Sequence, residues 1–185
     1  IDKNITLGSY FITTQDTNYV AQTVINGGFT NGRYDSGIFL NESIDSTCSI
    51  IGMTIKNSTN GIECHGDPLI SNMIVKENKH HGILLNASGA RIENSKVEKN
   101  STNAGGGSGL RIENNSDIYL VNVVIDSNYF TSHAAGAGMY IESSNVTMDS
   151  CIVMRNVTHS SGAGIYNSSA GDSLVIINSL IKNNY

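Results

Sequence analysis

The chain has 185 residues and a net charge of −5 at pH 7, enough length for one domain with a substantial core. This low, slightly acidic charge disfavours nucleic acid as a partner, because nucleic-acid-binding proteins need a concentrated basic stripe. The chain has no apolar run long enough for a membrane-spanning helix. It contains 19 glycines, 23 asparagines and a single proline, a composition that indicates many tight turns joined by densely paired backbone.

The N-terminal residues 1–22 predict an incomplete first coil or a cap. Residues 1–7 already have the character of a strand, so the chain starts in mid-pattern, as expected of a domain excised from a longer secreted protein. From residue 20 onward a nine-residue pattern recurs, apolar-x-Asn-x-x-apolar-x-x-Asn. Its copies begin at residues 20, 50, 70, 92, 120, 148 and 176, the first two being looser than the others.

The spacing of these copies predicts a stack of coils. Successive copies start 30, 20, 22, 28, 28 and 28 residues apart, and repeats of this size are typical of solenoids. Between the copies lies a second recurring strand, a glycine followed by apolar-x-apolar, which begins at residues 37, 61, 82, 109, 138 and 164. Each coil therefore holds two or three short strands that are joined at Gly or Asn corners.

The predicted fold is all-β, a right-handed parallel β-helix of about six to seven coils that forms one domain over residues 1–185. Parallel crossover connections are right-handed in nearly all proteins. The hexapeptide period expected of a left-handed helix is missing, and no segment has an amphipathic helical stripe of ten or more residues. The second apolar position of each copy is expected to form an inward aliphatic stack, from Ile55 to Ile181.

The recurring asparagines at the third position of the pattern predict a ladder of stacked amides. Equivalent residues in neighbouring coils lie about 4.8 Å apart, so each amide is able to bond the next one. The predicted rungs are Asn72, Asn94, Asn122 and Asn178, with Gly52 and Ser150 as weaker rungs. Cys151 lies inside a copy and is interpreted as a small buried apolar residue, whereas a Cys48–Cys64 bridge is left open.

With its nine-residue units and Asn ladder, the chain resembles the right-handed parallel β-helix proteins of the pectin-lyase-like superfamily over nearly all of its length. The opening at residues 4–17 and 22–28 resembles the start of such helices in secreted bacterial proteins of mostly unassigned function. The Gly-Ala-Gly-Met and Gly-Ala-Gly-Ile segments at 136–139 and 162–165 are similar to repeats of surface autotransporter passengers. The superfamily includes lyases, hydrolases, adhesins and phage spikes, so the resemblance implies a fold more firmly than an activity.

The variable part of each coil is one loop, between the last Asn of a copy and the next glycine. This loop lengthens to residues 101–108, 129–137 and 157–163 in three consecutive coils. Stacked insertions of this kind predict a wall beside the glycine-led strands, where binding residues are often found. The wall contains Tyr129, Phe130, His133 and His159, and the two histidines are expected to lie one above the other.

The outward residues of the glycine-led strands predict the rest of the site. Tyr140 and Tyr166, together with Arg111, suit a sugar polymer, because aromatic rings offer apolar faces to pyranose rings and polar neighbours bind hydroxyls. Glu113 and Glu142 are expected about 5 Å apart, a separation compatible with a glycosidase. Catalysis by His133 or His159 near Arg111 is the corresponding hypothesis for a uronate lyase.

The sequence favours a non-catalytic extracellular module, secreted or attached to the cell surface, that serves as a structural, adhesive or glycan-binding surface. One alternative is a polysaccharide lyase or glycoside hydrolase that uses Glu113, Glu142, Arg111 and the two histidines. The acidic calcium cluster of the superfamily's lyases and the aspartate trio of its hydrolases are not matched, so no metal or cofactor is predicted and no calcium site is identified. Another alternative is a subunit that stacks head to tail into filaments or onto flanking domains.

Overall fold

The computed structural model describes residues 1–28, 35–103, 105–132 and 135–185, and it shows a parallel β-helix with three long sheets. Every strand pairing among the described residues is parallel, which confirms the predicted solenoid. The first sheet contains, in spatial order, β1 (Thr6–Gly8), β4 (Ser49–Ile51), β7 (Leu69–Ser71), β10 (Arg91–Glu93), β14 (Asp117–Val121), β18 (Asn145–Asp149) and β21 (Leu174–Ile177).

The other two long sheets complete each coil. The second sheet contains β2 (Val24–Asn26), β5 (Thr54–Lys56), β8 (Ile74–Lys76), β11 (Lys96–Glu98), β15 (Val124–Asp126), β19 (Ile152–Met154) and β22 (Leu180–Lys182). The third sheet contains β3 (Ile38–Leu40), β6 (Ile62–Cys64), β9 (Ile83–Asn86), β13 (Leu110–Glu113), β17 (Met139–Ile141) and β20 (Ile165–Asn167). The nine-residue copies from residue 50 onward supply the first two sheets, and the glycine-led segments supply the third.

The first coil departs from the repeat. Between β1 and β2 the chain forms two short helices, α1 (Phe11–Thr14) and α2 (Asn18–Gln22), so the copy predicted to begin at Val20 has a strand only in its second half. Phe11 and Val20 are buried on the corner of the next coil, where Thr54 donates to the Val20 carbonyl over 2.8 Å. The first-sheet strand of this coil is instead β1, which pairs with β4.

Apolar columns fill the interior, as the period-two pattern of the strands predicts. The aliphatic stack of the second sheet runs in register from Ile25 through Ile55, Val75, Val97, Ile125 and Val153 to Ile181. Its five middle residues are completely buried, whereas Ile181, in the last coil of the stack, is 44% exposed. The predicted aliphatic stack is therefore confirmed.

The corner between the first and second sheets explains why Asn or Gly recurs at the third position of the pattern. The residues at this corner adopt left-handed backbone conformations, with φ from 48° at Asn94 to 73° at Gly52 and 56° at Ser150. Gly and Asn tolerate this conformation better than most residues. We call these residues the first corner, and their recurrence follows from the backbone.

Hydrogen bonds at the first corner do not form the continuous ladder predicted there. Asn122 donates to Asn94 over 2.8 Å, and both side chains lie in exposed residues. The other two predicted rungs have different partners, namely Ser71 for Asn72 and Asp149 for Asn178. The predicted ladder is therefore confirmed only between Asn94 and Asn122, and the predicted rungs at Asn72 and Asn178 are corrected.

A continuous amide ladder does exist, at the last position of the nine-residue pattern. We call it the buried ladder, and its rungs are Asn78, Asn100, Asn128, Asn156 and Asn184. Each amide nitrogen donates to the amide oxygen of the next rung over 2.9–3.0 Å. The ladder follows the second sheet directly, at the corner from which the variable loops depart.

The three inner rungs of the buried ladder use their full hydrogen-bonding capacity. The Asn128 nitrogen donates to Asn156 and to the Val97 carbonyl, and its oxygen accepts from the side-chain and backbone nitrogens of Asn100. Asn100 and Asn156 repeat this pattern, and all three residues are completely buried. A primary amide has two donors and two acceptor lone pairs, so none of these groups is left unsatisfied.

The glycines that precede the third sheet pack directly on the buried ladder. A Cβ atom on Gly138 would lie 2.4 Å from the Gly164 carbonyl oxygen and 2.8 Å from the Asn156 amide nitrogen. Gly109 has the same environment one coil earlier, against the Gly138 carbonyl and Asn128. The recurring Asn and the recurring Gly are thus two halves of one contact, which joins the end of each variable loop to the start of the loop in the next coil.

Candidate functional site

The third sheet presents two rows of side chains to solvent, which we call together the third-sheet face. The strand register places these residues in line, as predicted. The outer row is Phe39, Glu63, Leu84, Arg111, Tyr140 and Tyr166, and the second row is Asn41, His65, Asn86, Glu113, Glu142 and Ser168.

Arg111, Tyr140 and Tyr166 form one stack along the helix axis. The Arg111 guanidinium carbon lies 4.9 Å from the centre of the Tyr140 ring. The Tyr140 and Tyr166 rings are stacked with their centres 5.5 Å apart and an interplanar angle of 23°. One face of the Tyr140 ring is therefore covered by Arg111 and the other by Tyr166. The expectation that Tyr140 offers a ring face to a ligand is wrong, because in-register residues stack on each other; the ring presents its edge and its hydroxyl.

The two candidate catalytic carboxylates share one arginine. The Arg111 Nε atom donates to Glu113 over 2.6 Å and an Nη atom donates to Glu142 over 3.1 Å. Glu113 also accepts from Asn86. The guanidinium thus bridges the two carboxylates, which a glycosidase would need as separate proton donor and base or nucleophile. This arrangement neutralises part of the charge and fixes the three side chains.

The three long loops stack on one another, as predicted for a wall. A short parallel sheet joins β12 (Ser101–Thr102) to β16 (Tyr129–Phe130), and Tyr129 pairs in turn with Val157. Further along the loops, the Gly107 nitrogen donates to the Gly136 carbonyl over 2.9 Å. The backbone of each loop therefore satisfies part of its hydrogen bonding through the loops above and below it.

The predicted wall residues divide into an exposed and a buried group. Tyr129 is 38% exposed, and its hydroxyl lies 3.1 Å from the Nε2 atom of His159, which is also exposed. Phe130 is completely buried, so its assignment as a ligand-binding residue is wrong. Successive residues of a strand point to opposite sides, and here Tyr129 takes the outward side. His133 lies outside the described residues.

The wall borders the Arg111–Tyr140–Tyr166 stack. A Cβ atom on Gly106 would lie 2.3 Å from the Cδ2 atom of Tyr140, and one on Gly105 would lie 3.2 Å from an Arg111 nitrogen. The loop is thus glycine-rich where it passes the side chains of the outer row, and its backbone approaches them closely. Gly105 and Gly107 also adopt left-handed φ values of 73° and 76°. The structure therefore brings the loop wall, the tyrosines and the carboxylates together.

A buried histidine supports this loop from below. His81, which in sequence resembles part of a polar turn, is 2% exposed, and its Nδ1 atom lies 2.8 Å from the Gly107 carbonyl oxygen. Burial is the main reason why the pKa of His81 falls to about 3. The adjacent His80 is half-buried, bonds Asn60 and also has a lowered pKa, chiefly through burial. His81 is therefore neutral at ordinary pH, and its Nδ1–H group donates a hydrogen bond to the Gly107 carbonyl oxygen.

A second polar cluster lies at the other end of the third-sheet face. Glu63 accepts hydrogen bonds from Ser36 over 2.6 Å and from Asn60 and His65 over 3.2 Å. Burial acts to raise the pKa of Glu63, but these hydrogen bonds outweigh it and hold the pKa below its ordinary value. The ring of Phe39 packs against His65 with centres 5.3 Å apart.

Other groups offer little chemistry. No three His, Cys, Asp or Glu side chains of the described residues are grouped as metal ligands. The cysteines at 48, 64 and 151 are free and buried, and burial raises the pKa of Cys64 to about 11. None of the helices in the described part of the chain is long and apolar enough to cross a membrane.

A family model described as a right handed beta helix region matches residues 36–185 of the chain. No curated protein and no solved structure matches it. The family match agrees with the three parallel sheets and adds the handedness of the helix to the description of the fold.

Proposed function

The chain belongs to the right-handed β-helix family, and we propose that it is a non-catalytic extracellular module that binds a glycan on its third-sheet face. The observation that carries this proposal is the Arg111–Tyr140–Tyr166 stack, held in place beside a hydrogen-bonded loop wall. Both tyrosines are half-buried. Half-buried tyrosines combine apolar surface with a polar hydroxyl, a combination suited to sugars.

The polar groups around the stack favour binding of hydroxyl groups. The Glu142 side chain is 44% exposed, and Arg111 engages one of its two carboxylate oxygens. Within the described residues, Arg111 is the one partner that Glu142 has through its side chain, so its other oxygen is available as an acceptor for a sugar hydroxyl. The wall and the stack are each held in place by contacts between consecutive coils. A ligand would therefore meet a preformed surface, which lowers the entropic cost of binding.

The engagement of the candidate catalytic groups supports a non-catalytic role. Glu113 and Glu142 are paired to the same arginine, and His159 is bonded to the Tyr129 hydroxyl. A glycosidase needs one carboxyl group as proton donor and the other as base or nucleophile across a gap that holds the sugar or water. Here both carboxylates are paired to one guanidinium, so we propose adhesion or attachment as the role of this face.

The proposal is tested by affinity electrophoresis in gels that contain soluble polysaccharides from plants, algae and bacteria. We expect at least one polysaccharide to retard the protein, and the double variant Tyr140→Ala, Tyr166→Ala to lose about tenfold or more in affinity. The matched control is Tyr119→Ala, because Tyr119 is 43% exposed on the first sheet, away from the site. Absence of binding to every polysaccharide contradicts the proposal, and so does release of reducing ends or unsaturated products from one of them.

A further inference from the structure

The third-sheet face has a second aromatic contact far from the two tyrosines. Phe39 begins the outer row and is 45% exposed, although it is a large apolar residue on a solvated sheet. Its ring is held against His65, and the Glu63 carboxylate fixes His65 in turn over 3.2 Å. Here an exposed aromatic ring lies beside fixed polar groups, which is the combination of apolar and polar contacts that ligand sites use.

The two aromatic ends belong to one continuous strip. Phe39 and Tyr166 are separated by five steps of the outer row, which amounts to about 24 Å at the usual spacing of neighbouring strands. The residues between them are outward side chains of the same sheet. A ligand that contacts both ends must therefore be a chain of several sugars.

The charged residues of the strip determine whether a charged or an uncharged sugar polymer is able to bind. Its two rows contain three carboxylates, Glu63, Glu113 and Glu142, and one guanidinium, Arg111, which is already paired to two of the three. Ser36, Asn60 and His65 surround the remaining carboxylate, and the turn before β9 adds Lys79. A uronate or sulfated polymer would meet net negative charge and no unpaired arginine in the two rows, so it would be repelled.

From the contact of Phe39 with His65 and from this charge balance, we infer that the third-sheet face selects an uncharged polysaccharide. The polysaccharide is long enough to contact Phe39 and Tyr166 at the same time. The inference rests on the proposed function and assigns its ligand class and its second contact. The hydroxyls of such a polymer pair with the carboxylate, amide and phenol groups of the strip, and the two aromatic ends contact its sugar rings.

The test compares polymers of matched size, uncharged xyloglucan, galactomannan and dextran against polygalacturonate and alginate, by affinity electrophoresis at low and physiological salt. We expect an uncharged polymer to bind with little dependence on salt and the acidic polymers not to bind. Oligosaccharides cut from the bound polymer should gain affinity with length until both aromatic ends are reached.

The variant Phe39→Ala should weaken binding of the polymer at least about fivefold, with its fold confirmed by circular dichroism. Tyr119→Ala is the control of matched exposure, 43% against 45%. Preference for an acidic polymer overturns the inference, and so does a Phe39→Ala protein that binds as tightly as the control. In either case binding that still requires Tyr140 and Tyr166 leaves the proposed function standing, whereas absence of all glycan binding refutes both.

Discussion

Two columns rich in asparagine run along this molecule, and they differ in nearly everything except residue type. The first corner holds left-handed residues whose amides are mostly exposed and bond to local partners. The buried ladder, six residues further along each copy, joins five consecutive asparagines through their side chains and leaves no amide group of its inner rungs unsatisfied.

The difference shows that one residue type serves two physical purposes at the same period. At the first corner Asn is useful because its backbone tolerates positive φ. In the buried ladder Asn is useful because its side chain satisfies neighbouring backbone groups in a place that water does not reach. Substitutions in the two columns should therefore have very different effects on stability.

The largest effect is expected from Asn128→Ala in the buried ladder. The substitution leaves buried partners on Asn100, Asn156 and Val97 without hydrogen bonds, and we expect a loss of about 3–5 kcal/mol in the free energy of unfolding. Denaturant unfolding followed by circular dichroism measures this quantity. The matched control is Asn122→Gly at the first corner, which keeps the left-handed backbone and removes one exposed hydrogen bond. It should cost no more than about 0.5 kcal/mol, and equal losses in the two variants would contradict the distinction between the columns.

The next effect tests the contact between the ladder and the glycines. Gly138→Ala places a Cβ atom against the Gly164 carbonyl oxygen and Asn156, and we expect a loss of about 2–3 kcal/mol, since neither neighbour is free to move. Gly89→Ala is the control, because its Cβ atom would meet the end of the Asp67 side chain at 2.9 Å, and this side chain can turn away at the cost of one exposed hydrogen bond to the Gly89 nitrogen. In thermal unfolding, the midpoint temperature of Gly138→Ala should lie well below that of Gly89→Ala. The reverse order would show that the ladder does not constrain these glycines.

The smallest of the three effects depends on pH and concerns His81, the buried support of the loop wall. Its pKa is about 3 in the folded chain against an ordinary value of 6.5, so the unfolded chain binds the proton more readily as the pH falls below about 6.5. The contribution of neutral His81 is complete above that pH and decreases toward pH 3, with about 2 kcal/mol lost at pH 5. His81→Asn keeps a donor for the Gly107 carbonyl but does not titrate in this range. The free energy of unfolding is measured at pH 7 and at pH 5 for both proteins. Its decrease from pH 7 to pH 5 should be about 2 kcal/mol smaller in His81→Asn than in the original chain. Equal decreases in the two proteins would show that His81 is not the group responsible.

Much of the fold could be predicted because the same residue pattern recurs in every coil after the first. The nine-residue copies and the glycine-led segments gave the three sheets, the inward column from Ile55 to Val153, and the alignment of Arg111, Tyr140 and Tyr166. These features depend on alternation within a strand and on a constant register between coils, and both are written in the spacing of apolar residues. The exception is the first coil, where α1 and α2 replace the corner and the copy at Val20 matches only in part.

The remaining features depend on depth and orientation, which a period does not encode. Both asparagine columns recur at the same interval, so the sequence does not tell which one is covered by the glycines of the next strand. Phe130 lies in a segment of irregular length, where the inward side is set by pairing between loops. The closed faces of Tyr140 and the burial of His81 also depend on contacts between coils. One sequence signal could have pointed to His81. The His80-His81 pair lies in the loop of one coil, and the glycines at 105–107 lie in the equivalent loop of the next coil.

The hydrogen-bonded pairing of the long loops has a consequence for how this molecule can change. Since Ser101–Thr102, Tyr129–Phe130 and Val157 pair in parallel, shortening one loop removes partners from the loops on either side. An inserted or deleted segment is thus best accommodated when a whole turn of the solenoid is gained or lost. For anyone who grafts new surfaces onto this scaffold, the coil is the natural unit of exchange.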